Sequence, residues 1–375
     1  MRKIQMVAAA VLLIVPACNS ASTDTTAAGS PSVEATASEG TTSAEPQAAT
    51  ATQAAESSTT TTTKPASAGT LEDPIPAGTW ATVGTVDAVV LATQPDATEV
   101  VLAENEFNEE PAPGNRFVIW RVAVANAGDE PTPLTAELSF SVVGPSAVAY
   151  DASSYCGVTP DEFDAFREVF PGGTVEGNLC WEVADEDADD LVLLIDEFAL
   201  SSDRAVFAAA GTDVPLAVEY PVPAVPDGDG PSGSRGNPLE LGETVTVADW
   251  NVTVTGVIED ATADVLAENT FNEPPADGRQ FLIVTIEATY EGTASDMLFA
   301  STLFNVVGPR AVSYTGADSC GVIPNELDAF SEVFPGGTVA GNLCWSVQSD
   351  DVDGLVFYVQ ESFAFDGEPI FVGLR

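Results

Sequence analysis

The amino-acid sequence predicts an all-β protein, two tandem β-sandwich domains carried on a disordered tether, and three observations predict it. First, the chain repeats itself at an offset of 164 residues: positions 156–180 read CGVTPDEFDAFREVFPGGTVEGNLC, positions 320–344 read CGVIPNELDAFSEVFPGGTVAGNLC, and 20 of the 25 residues agree. Upstream, residues 104–111 (ENEFNEEP) match 268–275 (ENTFNEPP), and Val143-Gly144-Pro145 matches Val307-Gly308-Pro309. A period this long is a domain duplication, because a copy of about 140 residues is large enough to bury its own core. Second, apolar residues alternate with polar ones in short runs separated by Gly, Pro, Asn and Asp, which is the period of half-buried strands. Third, residues 19–70 are mostly Ala, Ser and Thr, hold no aromatic residue and offer nothing with which to build a core.

At the N-terminus, Arg2 and Lys3 form a basic start, residues 4–15 an apolar stretch too short to span a bilayer comfortably, and Val15-Pro16-Ala17-Cys18 a small-residue cleavage site. This resembles the lipobox of bacterial lipoproteins. The resemblance implies a signal peptide over residues 1–17, a lipid on Cys18 and anchoring to the outer face of the cytoplasmic membrane. Ordinary secretion after Ala17 is the other reading. Five cysteines are an odd number, and four of them pair off between the repeats, which leaves Cys18 as the one that lipidation accounts for. Residues 18–70 then form a tether, with a coil dimension of roughly 40 Å.

Within the repeats, residues 117–124 (FVIWRVAV) place Val118, Trp120, Val122 and Val124 on one face, and Leu282, Val284 and Ile286 do the same in the second copy. Further strands are expected at 244–247, 251–258, 297–307, 338–347, 354–359 and 369–374. The first sandwich spans 71–211 and the second 235–375. Residues 212–234, rich in Pro, Gly and Asp, read as the linker between them. Seven or so strands per copy favour a sandwich, with a small antiparallel barrel as the alternative.

The cysteine loop breaks the β pattern. Thr159, Pro160 and Glu162 have the spacing of a capping box, so a short helix carrying Phe163 and Phe166 on one face is expected before Pro171-Gly172-Gly173. In residues 174–183, Val175, Leu179, Trp181 and Val183 alternate onto one face, which turns Cys180 to the other. Disulfides Cys156–Cys180 and Cys320–Cys344 then pin each loop to the outer face of a strand and do not join two sheets through the core. The strand order, the FPGGTV turn and the GNLCW strand resemble the immunoglobulin-like, immunoprotective extracellular domains of Gram-positive, especially actinobacterial, surface lipoproteins. The resemblance covers 71–211 and 235–375. It implies an immunoglobulin-like sandwich at the cell surface, in a family largely of unknown function, and brings no catalytic residue with it.

Composition narrows the chemistry. The chain has no histidine, and Lys64, in the tether, is its single lysine beyond the leader, so Ser-His-Asp, Cys-His, Ser-Lys and histidine-zinc sites are excluded from the folded part. No enzyme activity and no cofactor are expected. With 58 acidic residues against 11 basic ones, the chain repels nucleic acid and anionic lipid. Asp185, Asp187, Asp189 and Asp196 have part of a calcium-loop spacing, but Asp190 stands where glycine is required and the second copy has Gln360 in the last position, so both stretches read as solvated turns and no metal is assigned. The strong agreement within the cysteine block has a structural explanation, the disulfide, the turn and packed Phe166, Phe330, Phe170 and Phe334. It also has a functional one, an acidic partner-binding face of Glu162, Asp164 and Glu168, matched by Glu326, Asp328 and Glu332. The expected function is accordingly that of a surface lipoprotein with two acidic modules for binding or adhesion to a protein, glycan or cell-wall ligand. A passive spacer at the envelope is the alternative, and a calcium-dependent binding protein comes after it.

Overall fold

Alternating burial along the strands builds two sheets in each copy, with the core between them. The computed structural model describes residues 69–375 apart from 135–137, 198–202, 224–225, 227 and 363–367. The leader, Cys18 and the tether lie outside the described residues. In the first copy the strands are β1 (Ala81–Val83), β2 (Val86–Gln94), β3 (Asn115–Asn126), β4 (Thr132–Pro133), β5 (Leu138–Val143), β6 (Ala149–Tyr150), β7 (Glu168–Val169), β8 (Thr174–Ala184), β9 (Val192–Glu197) and β10 (Arg204–Ala208). The second copy repeats them as β11 (Thr244–Val247), β12 (Trp250–Ile258), β13 (Arg279–Tyr290), β14 (Asp296–Met297), β15 (Thr302–Val307), β16 (Ser313–Tyr314), β17 (Glu332–Val333), β18 (Thr338–Gln348), β19 (Val356–Glu361) and β20 (Ile370–Gly373).

The sheet orders are β1-β2-β3-β8 and β10-β9-β5-β6 in one copy, and β11-β12-β13-β18 and β20-β19-β15-β16 in the other, with two-stranded pairs β4-β7 and β14-β17. All these ladders are antiparallel. The fold is therefore a β-sandwich. Val118, Trp120, Val122 and Val124 meet Leu193, Ile195 and Phe207 in the first core, and Leu282, Val284 and Ile286 meet Phe357 and Val359 in the second.

The structure departs from the sequence reading in several places. A seven-residue helix, Thr98–Glu104, follows β2 and is repeated as Thr262–Glu268. Its single buried side chain, Val101 or Val265, gives too little apolar periodicity to register as a helix. The expected strand over 297–307 is split, because Leu298–Ser301 forms a helical turn between β14 and β15. In the linker, residues 212–220 run along the outer face of the first sheet: Leu216 N–H donates to Leu91 O at 2.9 Å, the Trp80 indole donates to Glu219 O at 3.0 Å, and Val218 packs on Val89, Leu91 and Ala123. The corresponding face of the second copy carries Thr253, Thr255 and Glu287, which is the polar pattern of a sheet face left to water.

The first copy docks on the second through the edge of its cysteine block. Val169 pairs with Val312 in an antiparallel bridge, and Phe170 N–H donates to Ala311 O at 2.8 Å. The Phe170 ring, 3% exposed, lies among Val307, Ala311, Tyr358 and Phe371, edge-on to both aromatic rings, with the Arg235 guanidinium 5.0 Å above it. Arg167 grips Asp318 with two nitrogens, at 2.9 and 3.0 Å, and donates to Ser313 O. Tyr358 donates its hydroxyl to Glu168 at 2.6 Å. Gly173 lies so close to Ala311 O that a Cβ there would sit 2.2 Å from it. The expectation that Phe170 packs against its own sandwich is corrected: it fills the neighbouring copy.

Candidate functional site

The cysteine loops are held down by backbone geometry. Both disulfides form, Cys156–Cys180 and Cys320–Cys344, on the strand face opposite the main core as the alternation requires. Each is covered by the short helix, through Ala97 and Val101 or Ala261 and Val265. No helix forms over 159–166. Asp161 adopts φ 45° and Asn325 φ 49°, which a right-handed helix does not allow. The loop lies instead along β8: Asn178 N–H donates to Asp161 O at 2.8 Å, Phe163 N–H to Asn178 O at 2.9 Å, and the Asn178 amide to Pro160 O at 2.7 Å. Asn342 makes the same three bonds in the second copy. Gly177 and Gly341 permit this approach, since a Cβ on either would meet the backbone of Phe163 or Leu327 at 2.5 Å. The repeated Gly-Asn is thus a loop-docking device. Phe163 turns into the core while Phe166 is 82% exposed, so the packing expected of Phe166 does not occur.

The six acidic candidates divide by role. Asp164 accepts Phe166 N–H at 3.1 Å and pairs with Arg167 at 2.9 Å. Asp328 accepts the Phe330 and Ser331 amides and the Ser331 hydroxyl, and these bonds, the hydroxyl's first, hold its carboxyl below the ordinary value. Glu168 is taken up by Tyr358 across the docked copies, and Glu332 accepts the Ser295 hydroxyl at 2.6 Å. Glu162 and Asp164 line a cleft of about 920 Å³ together with Leu138, Phe140, Leu179 and Trp181, and burial, with Asp164 adding to it, raises the pKa of Glu162. Glu326 is exposed on the matching loop. The six therefore do not make one continuous face.

The acidic turns after β8 and β18 differ from the solvated turns expected of them. Asp187 points inward and accepts the Ser146 amide at 2.8 Å, the Ser146 hydroxyl at 2.5 Å and the Tyr150 hydroxyl at 2.6 Å, bonds that lower its pKa, the Ser146 hydroxyl foremost. Asp351 accepts the Tyr314 hydroxyl at 2.6 Å and pairs with Arg310. Asp185 and Asp189 pair with Arg116. Among the described residues no group of three or more His, Cys, Asp or Glu is placed to hold a metal ion. The repeated Val-Gly-Pro belongs to this arrangement, because Gly144 and Gly308 back directly onto Asp187 and Asp351. Reading Tyr150 and Tyr314 together with Asp187 and Asp351 at the same offset is the signal that finds it.

Two phenylalanine positions are exposed in both copies: Phe166 and Phe330, 82% and 67% exposed on the cysteine loops, and the pair Phe107 and Phe271. Phe107 is 82% exposed and Phe271 90%, each at the tip of the ENxFNE turn, where Asn105 or Asn269 accepts the phenylalanine N–H at 2.9 Å. Asn108 ties this turn to the cysteine loop by donating to Val101 O and Val158 O and accepting Val158 N–H, and Asn272 does the same with Val265 and Val322. Val158 and Val322 are exposed beside it. Glu104, Glu106, Glu109 and Glu110 surround the first tip and are open to water. Nothing in the cores requires these side chains; the asparagines alone account for the turn.

No helix among the described residues is long and apolar enough to cross a membrane. Residues 77–206 match the family model described as a domain of unknown function, DUF4352. No curated protein matches the chain. Among solved structures, a conserved hypothetical protein from Bacillus anthracis is similar at 15% identity and TM-score 0.24, covering 35% of this chain and 94% of its own. An uncharacterized beta-sandwich protein from Clostridium difficile is similar at 10% identity and TM-score 0.24, covering 37% and 95%.

Proposed function

We propose that this chain is an extracytoplasmic lipoprotein, anchored through Cys18, whose paired immunoglobulin-like sandwiches form a non-catalytic binding module at the cell envelope. The observation that carries the binding part is an exposed phenylalanine kept in both copies, Phe107 and Phe271, projecting from identically built turns. A passive spacer has no use for an apolar tip in water, whereas such side chains are the usual anchors of recognition. Two disulfides in a chain of this size favour an oxidising compartment, which supports the extracytoplasmic setting. The acidic residues beside the tip bias the partner toward neutral or cationic surfaces, a wall glycan or a protein, and away from nucleic acid.

Two variants test the reading. Cys18→Ala is expected to move the protein from the membrane fraction to the medium, and unchanged retention removes the anchor from the proposal. In that released background, Phe107→Ala with Phe271→Ala is expected to keep its stability to within about 0.5 kcal/mol. Its co-sedimentation with isolated cell wall should fall by about tenfold. Equal sedimentation of both proteins, or none of either, leaves the spacer reading standing.

A further inference from the structure

The internal docking uses one edge and one acceptor, and the duplication leaves a second edge and a second acceptor over. We propose that the free edge of the second copy, β17 with Phe334, docks on the free turn 147–149 of another molecule's first copy, so that the chain associates head to tail by repeating its internal interface.

The leftover edge has the sequence of the docked one: Glu168-Val169-Phe170-Pro171-Gly172-Gly173 is repeated as Glu332-Val333-Phe334-Pro335-Gly336-Gly337. Phe334 is 63% exposed, and Phe330, Phe299 and Met297 of the same copy are exposed too, with the Phe299 and Phe330 rings 4.5 Å apart. Among the described residues β17 pairs with β14 alone, so its other side is an open strand edge, the template that β-augmentation uses. The leftover acceptor is preformed. Ala311, whose carbonyl receives Phe170 N–H, has φ 58° and donates to Gly308 O at 3.0 Å; Ala147 has φ 59° and donates to Gly144 O at 2.9 Å. Both copies hold an alanine in this costly left-handed conformation. In the second copy the turn is buried under the edge. In the first, Ala147, Val148 and Ala149 are exposed.

The substitutions between the copies agree across the interface they would form. Where Arg167 grips Asp318 internally, the free edge has Ser331 and the free acceptor Ser154, so neither charge is left unpaired. Where Arg235 covers Phe170, the free acceptor offers exposed Leu71 to Phe334. Where Tyr358 serves Glu168, the first copy has Leu194, which is already buried, and Glu332 has its own partner in Ser295. The free surfaces thus carry neither partner of the internal ion pair and set Leu71 against Phe334. An interface of this kind is heterologous, so it yields open chains, or rings where the rotation closes.

The experiment uses the full chain with Cys18→Ala in sedimentation velocity across the micromolar to millimolar range. Wild type in this background is expected to form a concentration-dependent series of oligomers. Phe334→Asp blocks the edge and Val148→Asp blocks the acceptor, so each alone should be monomeric, with unchanged far-UV circular dichroism. Their mixture should form a one-to-one dimer and nothing larger, since each supplies the part the other has lost. As a gain of function, Ser331→Arg combined with Ser154→Asp recreates the internal ion pair between molecules. It should tighten association by about tenfold, an effect that high salt removes. Monomeric wild type throughout, or association unaffected by Val148→Asp as in an edge-to-edge dimer, overturns the proposal, and so does a silent Ser331→Arg, Ser154→Asp pair.

Discussion

Phe170 and Phe334 occupy the same position in identical VFPGG turns, yet the first is 3% exposed and the second 63%. Their backbones agree closely: Gly172 and Gly336 have φ 76° and 79°, and each turn bonds back to the end of β3 or β13 through both glycines. Local sequence has therefore set the turn, and the neighbour has set the burial. Where the first copy meets Tyr358, Phe371 and Ala311, the second meets solvent. What differs between two equal residues is the surface opposite them, and that surface is remote in sequence.

Truncating Phe170 removes a ring buried against two aromatic partners and leaves a cavity, so Phe170→Ala should cost about 3–5 kcal/mol. Because that ring joins the copies, a single cooperative calorimetric transition is expected to divide into two. Phe334→Ala, at an exposed position, should lie within about 0.5 kcal/mol of wild type. Equal losses from the two substitutions would falsify the environmental difference between them.

Arg167 and Ser331 sharpen the comparison, since theirs is one of five differences inside the cysteine block. Arg167→Ala removes a two-nitrogen grip on Asp318, whose side chain is almost wholly buried. Arg279 remains 2.7 Å from the same carboxylate and keeps it paired. The cost should therefore be about 2 kcal/mol, below that of leaving a buried charge alone. Urea unfolding followed by tryptophan fluorescence measures it, and Ser331→Ala serves as the near-silent control. A loss as large as that of Phe170→Ala would mean that Arg279 does not compensate.

Most of the fold was legible because its signals are local or repeated. The alternation at Val118, Trp120, Val122 and Val124 names the core face of β3, and the phase of Cys180 against Trp181 places the disulfide on the other face. The helix expected from Thr159, Pro160 and Glu162 failed for a reason the spacing does not contain: Asn178 and Gly177 on β8 capture the loop backbone in an extended path. The candidate site was legible in part. Repetition marked the cysteine block but could not separate residues kept for docking, such as Phe170, from those kept for the turn, such as Asp164. Phe107 and Phe271 stand inside a matched motif, but sequence agreement does not separate the asparagines that shape the turn from the phenylalanines that project from it.

The smallest expected effect concerns the proton on Glu168. Docking buries this carboxyl, and burial raises its pKa, while the Tyr358 hydroxyl bond works the other way and offsets only part of the shift. A carboxyl whose pKa is higher in the folded protein favours the folded, docked state when protonated. Its contribution is complete below the ordinary glutamate value and is lost as pH rises through the raised one. The docked pair should therefore carry a small pH-dependent loss over that window, as the ionised carboxylate is held against the Tyr358 hydroxyl in the seam between the copies. Tyr358 stays protonated throughout, because burial and Glu168 push its pKa well above 10.0. Glu168→Gln keeps an oxygen for the Tyr358 hydroxyl and removes the charge, so the variant should melt slightly higher than wild type at neutral pH and show a flatter profile across the window. Glu332→Gln, at the exposed equivalent position, is the control and is expected to leave the melting temperature at neutral pH in place. The measurement is a set of thermal melts from pH 4 to 8 for the three proteins. A steeper profile for Glu168→Gln, or a matching change for Glu332→Gln, would show that the seam between the copies does not set the titration of Glu168.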